Sequence, residues 1–336
     1  MPQGSSFPNF MNDKSDSKIL KILFSAPGFL SGSIIAQKLK ITRAAIRQGI
    51  QRLRSLGCKI SSRSFHGYRL VSTPDKLLPV FVKLGLKTTI IAREVFFYPK
   101  IESTNRQAKA MVSQGVKDGA LFVTDYQTHG RGRLKRQWIS PPKKNLLFSL
   151  LFYPSLPPAK VFQMTLCASL AVCKSLITLY NIKAGIKWPN DVYVNNRKIC
   201  GILTEASANQ KKLKCVVVGI GLNVNSDSSS IPELRKIATS IKKETGKTQR
   251  RLSILKQILE EIDSLYKRLL SGEINHIRGE WVSYSIILGK KVNVLIDGFQ
   301  ETGIAETIDE DGALILLVPD GERKKIVAGD VSLRIQ

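Results

Sequence analysis

The sequence has 336 residues and a hydrophobic content of 43%, which is enough for two or three globular domains and excludes a disordered chain. Its 52 Lys and Arg residues outnumber 26 Asp and Glu residues, so the formal net charge is +26. This excess favours polyanionic partners, either nucleic acid or an anionic membrane surface, and charge alone does not choose between them.

The start of the chain predicts a tail. The first 16 residues are rich in Ser, Asn, Pro and Gly, and they lack the basic start and apolar core of a signal peptide. We therefore expect an unstructured segment over residues 1–16.

Residues 17–74 are predicted to form a separate basic domain. They contain five lysines and six arginines but no Asp or Glu. The hydrophobic pattern predicts three helices and then two short strands joined by a turn, over 18–24, 33–39, 42–56, 58–62 and 67–71. This is the order of a helix-turn-helix followed by a wing.

The third predicted helix carries the candidate DNA-binding residues. Thr42 is placed to cap the helix, and Ile46, Ile50 and Leu53 form its inward stripe. The opposite face is polar and basic, and its candidate DNA contacts are Thr42, Arg43, Arg47, Gln48, Gln51 and Arg54. Arginine pairs with guanine and glutamine with adenine in the major groove. The alternative is a solvated face that serves only packing, and the lack of acidic residues favours DNA.

Residues 75–285 are predicted to form a mixed α/β enzyme domain. Strand-like and helix-like stretches alternate, with strands expected at 122–125, 146–152, 186–188, 199–205 and 215–218 and a closing helix at 252–270. The longest apolar run, 161–179, contains Gln163 and Lys174, which favours a buried core helix over a membrane span. No membrane partner is expected.

Residues 286–336 change to a strand pattern. Alternating stretches at 291–296, 303–307, 313–318 and 325–328 are separated by Asp-Gly pairs at 297, 311 and 320, which suit tight turns. A small β domain is therefore predicted at the carboxyl-terminal end.

The cysteines and histidines exclude two kinds of site. The five cysteines contain no CxxC pair, which indicates reduced and buried thiols in a cytoplasmic protein. None of the three histidines has metal-ligand spacing with a cysteine or another histidine, so no dedicated metal site is predicted.

A basic loop at 130–136 is the first candidate ligand site. Four of its seven residues are cationic, and two glycines allow the backbone to approach a ligand closely. Such a loop suits a polyphosphate. By itself the pattern is as typical of a surface loop on a basic protein.

Short motifs around this loop are more specific. In chain order they are Glu-Ser-Thr-Asn at 102–105, Gln127, Lys-Trp-Pro-Asn-Asp at 187–191, Arg-Lys-Ile-Cys-Gly-Ile-Leu at 197–203 and Gly-Ile-Gly-Leu-Asn-Val at 219–224. Together they resemble the biotin protein ligase family, in the bacterial form that carries an operon-repressing winged helix. The resemblance extends from about Ser17 to Ile335.

The resemblance implies a multidomain α+β protein. It implies a winged helix-turn-helix at 17–74, a ligase domain of the class II synthetase/biotin ligase type at 75–285 and an SH3-like β-barrel at 286–336. It also implies an ATP-dependent biotin–[biotin carboxyl carrier protein] ligase using ATP, Mg²⁺ and biotin. The implied partners are the carrier protein of acetyl-CoA carboxylase, operator DNA and, with adenylate bound, a second copy of the chain.

The family's pattern also assigns residues. The implied biotin-binding residues are Ser103, Thr104, Asn105, Gln127, Arg131, Gly132, Arg133 and Lys187. Lys187, Arg131 and Arg133 would act on the reacting carboxylate and phosphate, and the adenylate loop would include Gly130, Arg136, Trp138 and Asn190. The ordinary alternatives are a helix cap for Thr104 and a surface position for Lys187.

Two departures from the family's pattern are visible. Lys135 stands where the basic loop usually has glycine, and the wing tip carries Phe65 and His66 where Gly-Lys is common. Two other functions remain open, a ligand-sensing transcription regulator without ligase activity and a lipoate ligase.

Overall fold

The structure, a computed structural model, describes residues 14–208, 213–227, 235–296, 299–327 and 329–333. It divides into two compact units, 1–85 and 86–336. The unit boundary at 85/86 leaves the short helix after the wing with the first unit. The domain boundaries at 74/75 and 285/286 stay predictions.

The first unit confirms the winged helix-turn-helix. Its elements are α1 Lys14–Ser25, α2 Gly32–Leu39, α3 Arg43–Ser55, the antiparallel hairpin of β1 Lys59–Arg63 and β2 Gly67–Ser72, and α4 Pro79–Lys83. The Thr42 side chain caps α3 by accepting a hydrogen bond from the Ala45 amide at 3.1 Å. The predicted inward stripe of Ile46, Ile50 and Leu53 is buried.

Helix α1 begins earlier than the sequence predicts. It starts at Lys14, inside the predicted tail, and Asp16 is 1% exposed. The Arg52 guanidinium donates two hydrogen bonds to the Asp16 carboxylate, at 2.7 and 2.8 Å. A partner 36 residues away gives no local sequence signal, which explains the difference. The rest of the predicted tail, 1–13, lies outside the described residues.

The second unit is built on a seven-stranded mixed sheet. Its strands are β3 Val95–Tyr98, β4 Ala120–Thr124, β5 Leu146–Phe152, β6 Gly185–Lys187, β7 Asp191–Val194, β8 Arg197–Ala208 and β9 Leu213–Leu222. Their order is β3-β4-β5-β9-β8-β7-β6, and only the β3–β4 pair is parallel among these described strands. The sequence patterns predicted neither β3 nor β7, because a four-residue strand gives only a weak pattern that is not always recognised.

Five helices complete this part of the unit. They are α5 Thr104–Ala110, α6 Phe162–Tyr180, α7 Ile241–Thr245, α8 Arg251–Leu270 and α9 Ile274–Ser283. The segment Pro158–Tyr180 is long and apolar enough to cross a membrane, but 72% of its most apolar window is buried inside the unit. It packs against α8, α9 and the sheet, as predicted for a core helix.

The carboxyl-terminal strands form a second sheet. Its five strands are β10 Lys291–Ile296, β11 Phe299–Ile308, β12 Leu314–Leu317, β13 Arg323–Ile326 and β14 Asp330–Leu333, in the order β13-β12-β11-β10-β14 and antiparallel throughout. The indole of Trp188 donates to the Gly312 carbonyl at 2.9 Å, which ties this sheet to the β6–β7 turn. The predicted turn at 297–298 and residue 328 lie outside the described residues.

The cysteines are buried and free, as predicted. Burial raises the pKa of the Cys58 thiol to about 11 and that of Cys167 to about 12. These thiols therefore stay protonated and unreactive near neutral pH.

A buried carboxylate joins α8 to the segment before β3. Asp263 accepts hydrogen bonds from the backbone N–H groups of Thr89 at 3.1 Å, Ile90 at 2.8 Å and Ile91 at 2.9 Å. Its carboxylate also lies 3.0 Å from Lys267. Burial works to raise the pKa of Asp263, but the backbone hydrogen bonds and Lys267 outweigh it and hold that pKa below its usual value.

We expect Asp263→Asn to lower the free energy of unfolding at pH 7 by about 2 kcal/mol, since hydrogen bonds to a charged group are lost. The folded-state pKa lies below that of the unfolded chain, so this stabilisation is full above roughly pH 4 and is lost as pH falls through the folded-state pKa. Urea unfolding at pH 7 and at pH 3 measures both effects. The exposed Glu310→Gln is the control, and equal stability of wild type and Asp263→Asn at pH 7 would contradict the assignment.

Candidate functional site

A cavity of about 310 Å³ lies on the seven-stranded sheet, within the usual range for small-molecule sites. Its walls come from β8 and β9, the start of α5, the basic loop and β7. Ten predicted ligand residues line it: Ser103, Thr104, Asn105, Gln127, Arg131, Gly132, Arg133, Arg136, Trp138 and Asn190. Ser103 and Asn190, which are 87 positions apart in sequence, thus meet in one place.

Glycines in β8 and β9 allow this cavity to form. A Cβ atom on Gly219 would lie 2.1 Å from Oδ1 of Asn105, and one on Gly221 would lie 2.7 Å from the indole of Trp138. A Cβ atom on Gly201 would lie 2.9 Å from the same indole. Any larger residue would displace these side chains, which explains the Gly-Ile-Gly sequence of β9.

The polar wall is connected by hydrogen bonds. Thr104 donates to Oε1 of Gln127 from its backbone N–H at 2.7 Å and from its hydroxyl at 3.1 Å. The buried Ser149 hydroxyl lies 2.7 Å from Oγ1 of Thr104 and 2.6 Å from Oδ1 of Asn105. The cap of α5 is Ser103, so the alternative of Thr104 as the helix cap is wrong. Thr104 is free to serve the wall instead.

The amides of the wall differ in what they offer a ligand. Asn105 donates from Nδ2 to the Leu203 carbonyl at 3.2 Å and to Glu205 at 2.7 Å, so its donors are used within the wall. Gln127 uses its oxygen for Thr104, and its Nε2 makes no hydrogen bond among the described residues. Gln127 therefore leaves a neutral donor for a ligand carbonyl.

The basic loop closes on itself beside the cavity. The Trp138 amide donates to the Gly130 carbonyl at 2.9 Å, and the Gly132 amide donates to Arg136 at 2.7 Å. The Arg133 guanidinium lies 3.4 Å from Oδ1 of Asn190 and 3.3 Å from the carbonyl of Gly329. The loop is thus linked both to the β6–β7 turn and to the carboxyl-terminal sheet.

Two of the predicted residues, Gly130 and Lys187, do not line the cavity. Of the two, Lys187 lies beside Tyr193. Its Nζ lies 3.5 Å from the Tyr193 hydroxyl and 4.9 Å from the centre of the Tyr193 ring, and Tyr193 does line the cavity. Lys187 therefore contacts the cavity wall through this tyrosine.

Four lining or supporting residues were not predicted. Lys198 lies 2.7 Å from Asp191 and 5.5 Å from the centre of the Trp138 ring. Tyr193 and Asp191 share the half-buried face of β7, and Ser149 is a lone hydroxyl in the fully buried strand β5. A single polar residue in an apolar strand, as at Ser149, is a signal that the sequence did contain.

The first unit holds a second candidate site. An open groove of about 910 Å³ lies between the start of α2, α3 and the wing, with no Asp or Glu among its described lining residues. Arg43, Arg47, Gln51 and Arg54 line it, whereas Thr42 and Gln48 are exposed beside it. Arg54 also braces the wing, because it donates to the Ile60 carbonyl at 2.7 Å.

Comparison with known proteins agrees with this division. Residues 97–223 match the model of the Biotin/lipoate A/B protein ligase family. Residues 16–69 match an HTH domain, and residues 287–334 match a Biotin protein ligase C terminal domain. The bifunctional ligase/repressor BirA of Bacillus subtilis is 33% identical over 93% of this chain and 96% of that protein.

The chain belongs to the biotin protein ligase family, in its bifunctional ligase/repressor form. BirA of Bacillus spizizenii is 34% identical over 93% of this chain and 96% of its own length. A biotin protein ligase from Aquifex aeolicus, solved with biotin and ATP, has a TM-score of 0.63 and 31% identity. The structural alignment covers 73% of this chain and 100% of the Aquifex chain. Within this ligase family fold, the roles of the individual site residues stay predictions.

We expect Gly221→Ala to move the Trp138 ring outward, because the added methyl group would lie 2.7 Å from the indole. The other two tryptophans, Trp188 and Trp281, are fully buried, so a red shift of tryptophan emission would report Trp138. The control is Gly279→Ala in α9, where an added Cβ meets nothing within 4 Å. Unchanged emission in Gly221→Ala would show that the ring does not depend on this glycine.

Proposed function

We propose that this chain is an ATP-dependent biotin protein ligase that also represses the biotin biosynthesis genes. The observation that carries the ligase function is the cavity itself. It combines the neutral Gln127 donor, an apolar floor that includes Phe148 and Ile220, and three arginines from one loop. Biotin presents the matching features in order: a ureido carbonyl, an apolar ring and chain, and a carboxylate.

In the first step a carboxylate oxygen of biotin attacks the α-phosphorus of ATP. The bond to the β-phosphate oxygen breaks, giving biotinyl-5′-AMP and pyrophosphate. Arg131, Arg133 and Arg136 line the cavity and would stabilise the negative charge that develops on the phosphoryl oxygens. Mg²⁺ would enter with the nucleotide, held by its phosphates.

In the second step the ε-amine of an acceptor lysine attacks the acyl carbon of the adenylate. An amide bond forms, AMP leaves and the amine loses a proton. We propose that the acceptor belongs to the biotin carboxyl carrier protein of acetyl-CoA carboxylase. In the first step the Lys187 ammonium, which lies against Tyr193, would add positive potential near the biotin carboxylate.

The repressor function uses the first unit. The groove beside α3 is lined by arginines and lacks carboxylates among its described lining residues, which suits the DNA backbone. We propose that two chains pair when adenylate is bound, so that a two-fold protein binds an operator with two half-sites. A cytoplasmic location follows from this function and from the free cysteines.

Two other functions fit less well. A regulator that only senses biotin needs no cluster of cations for phosphates, and the cavity has three loop arginines. A lipoate ligase would share the arginines but would leave the Gln127 donor without a ureido carbonyl. Exchange of radioactive pyrophosphate into ATP, with biotin or lipoate, separates these functions. Exchange with biotin alone, and streptavidin detection of a modified carrier domain, is the expected result.

We expect Arg133→Ala to slow adenylate formation about a hundredfold, since removing one positioned donor costs on the order of 3 kcal/mol in the transition state. Folding stability should change little, because a half-exposed cation contributes little to it. Single-turnover adenylation measures the rate. Arg323→Ala, an exposed arginine of β13, is the control, and an unchanged rate in Arg133→Ala would remove this residue from the site.

For DNA, we expect Arg47→Ala to weaken operator binding by about 1 to 3 kcal/mol if its guanidinium reads a guanine, with little effect on random DNA. The control is Lys18→Ala, on the exposed surface of α1, which should not weaken binding to the operator or to random DNA by as much. Gel-shift titrations over a range of salt, with and without biotin and ATP, give both affinities. Equal weakening on operator and random DNA would assign Arg47 to phosphate contact instead.

A further inference from the structure

The wing ends in an aromatic residue that the rest of the chain does not cover. Phe65 is 101% exposed, the full exposure of a free side chain. Its backbone has φ +60°, in the left-handed region that favours glycine. A left-handed backbone is unfavourable for a residue with a side chain, and the fully exposed phenyl group gains nothing from folding in the isolated protein.

The wing around Phe65 is held in place. The amide of Leu30 donates to the Tyr68 carbonyl at 2.9 Å and the amide of Tyr68 donates back at 2.8 Å, so the hairpin is anchored to the segment before α2. Gly67 has φ +94°, and a Cβ atom there would lie 2.1 Å from the Leu30 carbonyl oxygen. This close contact fixes the base of the tip that carries Phe65.

The cations beside the tip are also positioned. The guanidinium groups of Arg63 and Arg69 lie 4.9 and 5.0 Å from the centre of one ring, that of Phe29. Cation–π contact holds both side chains in a narrow range of positions. The hairpin that carries Phe65 therefore also carries two preorganised positive charges, and one of them, Arg63, lines the same groove as Phe65.

Phe65 faces the same groove as α3. It lines the open groove that Arg43 and Arg47 also line. Residues 17–74 contain no Asp or Glu, so this groove favours a polyanion. A partner seated against α3 would contact Phe65 at the same time.

We propose that Phe65 is an apolar contact to DNA, placed by the wing in the minor groove next to the half-site that α3 reads. Apolar side chains at such positions pack against sugars or enter between base steps, while neighbouring arginines neutralise phosphates. This inference rests on the DNA-binding part of the proposed function. It gives the exposed Phe65, with its left-handed backbone, a contact that the free protein lacks.

The test uses the full chain and Phe65→Gly. Glycine relieves the left-handed backbone and removes only an exposed ring, so the melting temperature should stay the same or rise. Affinity for a duplex from the promoter of the biotin genes should fall about tenfold, the size of effect seen when a base-contacting aromatic is removed. Higher stability with weaker binding is a combination that a structural role would not produce.

Two further variants complete the test. Phe65→Leu keeps an apolar tip and should recover part of the affinity. Val71→Ala removes an exposed apolar residue of β2 outside the groove and should bind as the wild type does. Netropsin, which occupies A·T minor grooves, should reduce the difference between wild type and Phe65→Gly.

The outcomes separate this inference from the proposed function. Equal affinity of wild type and Phe65→Gly for the duplex would overturn the role of Phe65 and leave DNA binding by the chain intact. A wild type that binds no duplex would overturn both. Loss of binding to phosphatidylserine vesicles in Phe65→Gly, with unchanged DNA affinity, would assign the tip to a membrane surface and overturn the inference.

Discussion

The site of the second unit depends on two side chains that pack directly against the backbone of β8 and β9. Trp138 packs on Gly201 and Gly221, and Asn105 packs on Gly219, at distances where a Cβ atom on these glycines would overlap. These contacts set how near the basic loop and α5 come to the sheet. The cavity exists because these glycines have no Cβ atom, and a Cβ atom from any other residue would overlap Asn105 or Trp138.

Strands and a loop contribute different groups to the cavity. Strands supply the floor and the hydrogen-bonded wall, in which Ser149 links Thr104 to Asn105. The loop supplies the cations, and Arg133 ties it to Gly329 in the carboxyl-terminal sheet. Placement of the charged groups therefore depends on both sheets of the second unit, so the small β domain takes part in shaping the site.

The first unit shows how a basic protein keeps a binding surface free of carboxylates. Its one acidic side chain within α1, Asp16, is buried and paired with Arg52. The groove lining thus keeps its positive potential, while the ion pair joins α1 to α3. At the wing, the ring of Phe29 positions two arginines, Arg63 and Arg69.

The sequence alone determined most of the fold and the membership of the cavity. Hydrophobic periodicity located α3, β5 and α8 closely, because these elements bury one regular face or a whole strand. Motif order then brought Gln127 and Asn190 into one predicted site. Only the tertiary structure placed Lys187 behind Tyr193 and brought Ser149, 44 residues from Asn105, into the wall. Short strands such as β7 and contacts between distant residues have no local pattern, since their energy comes from partners that folding alone brings together.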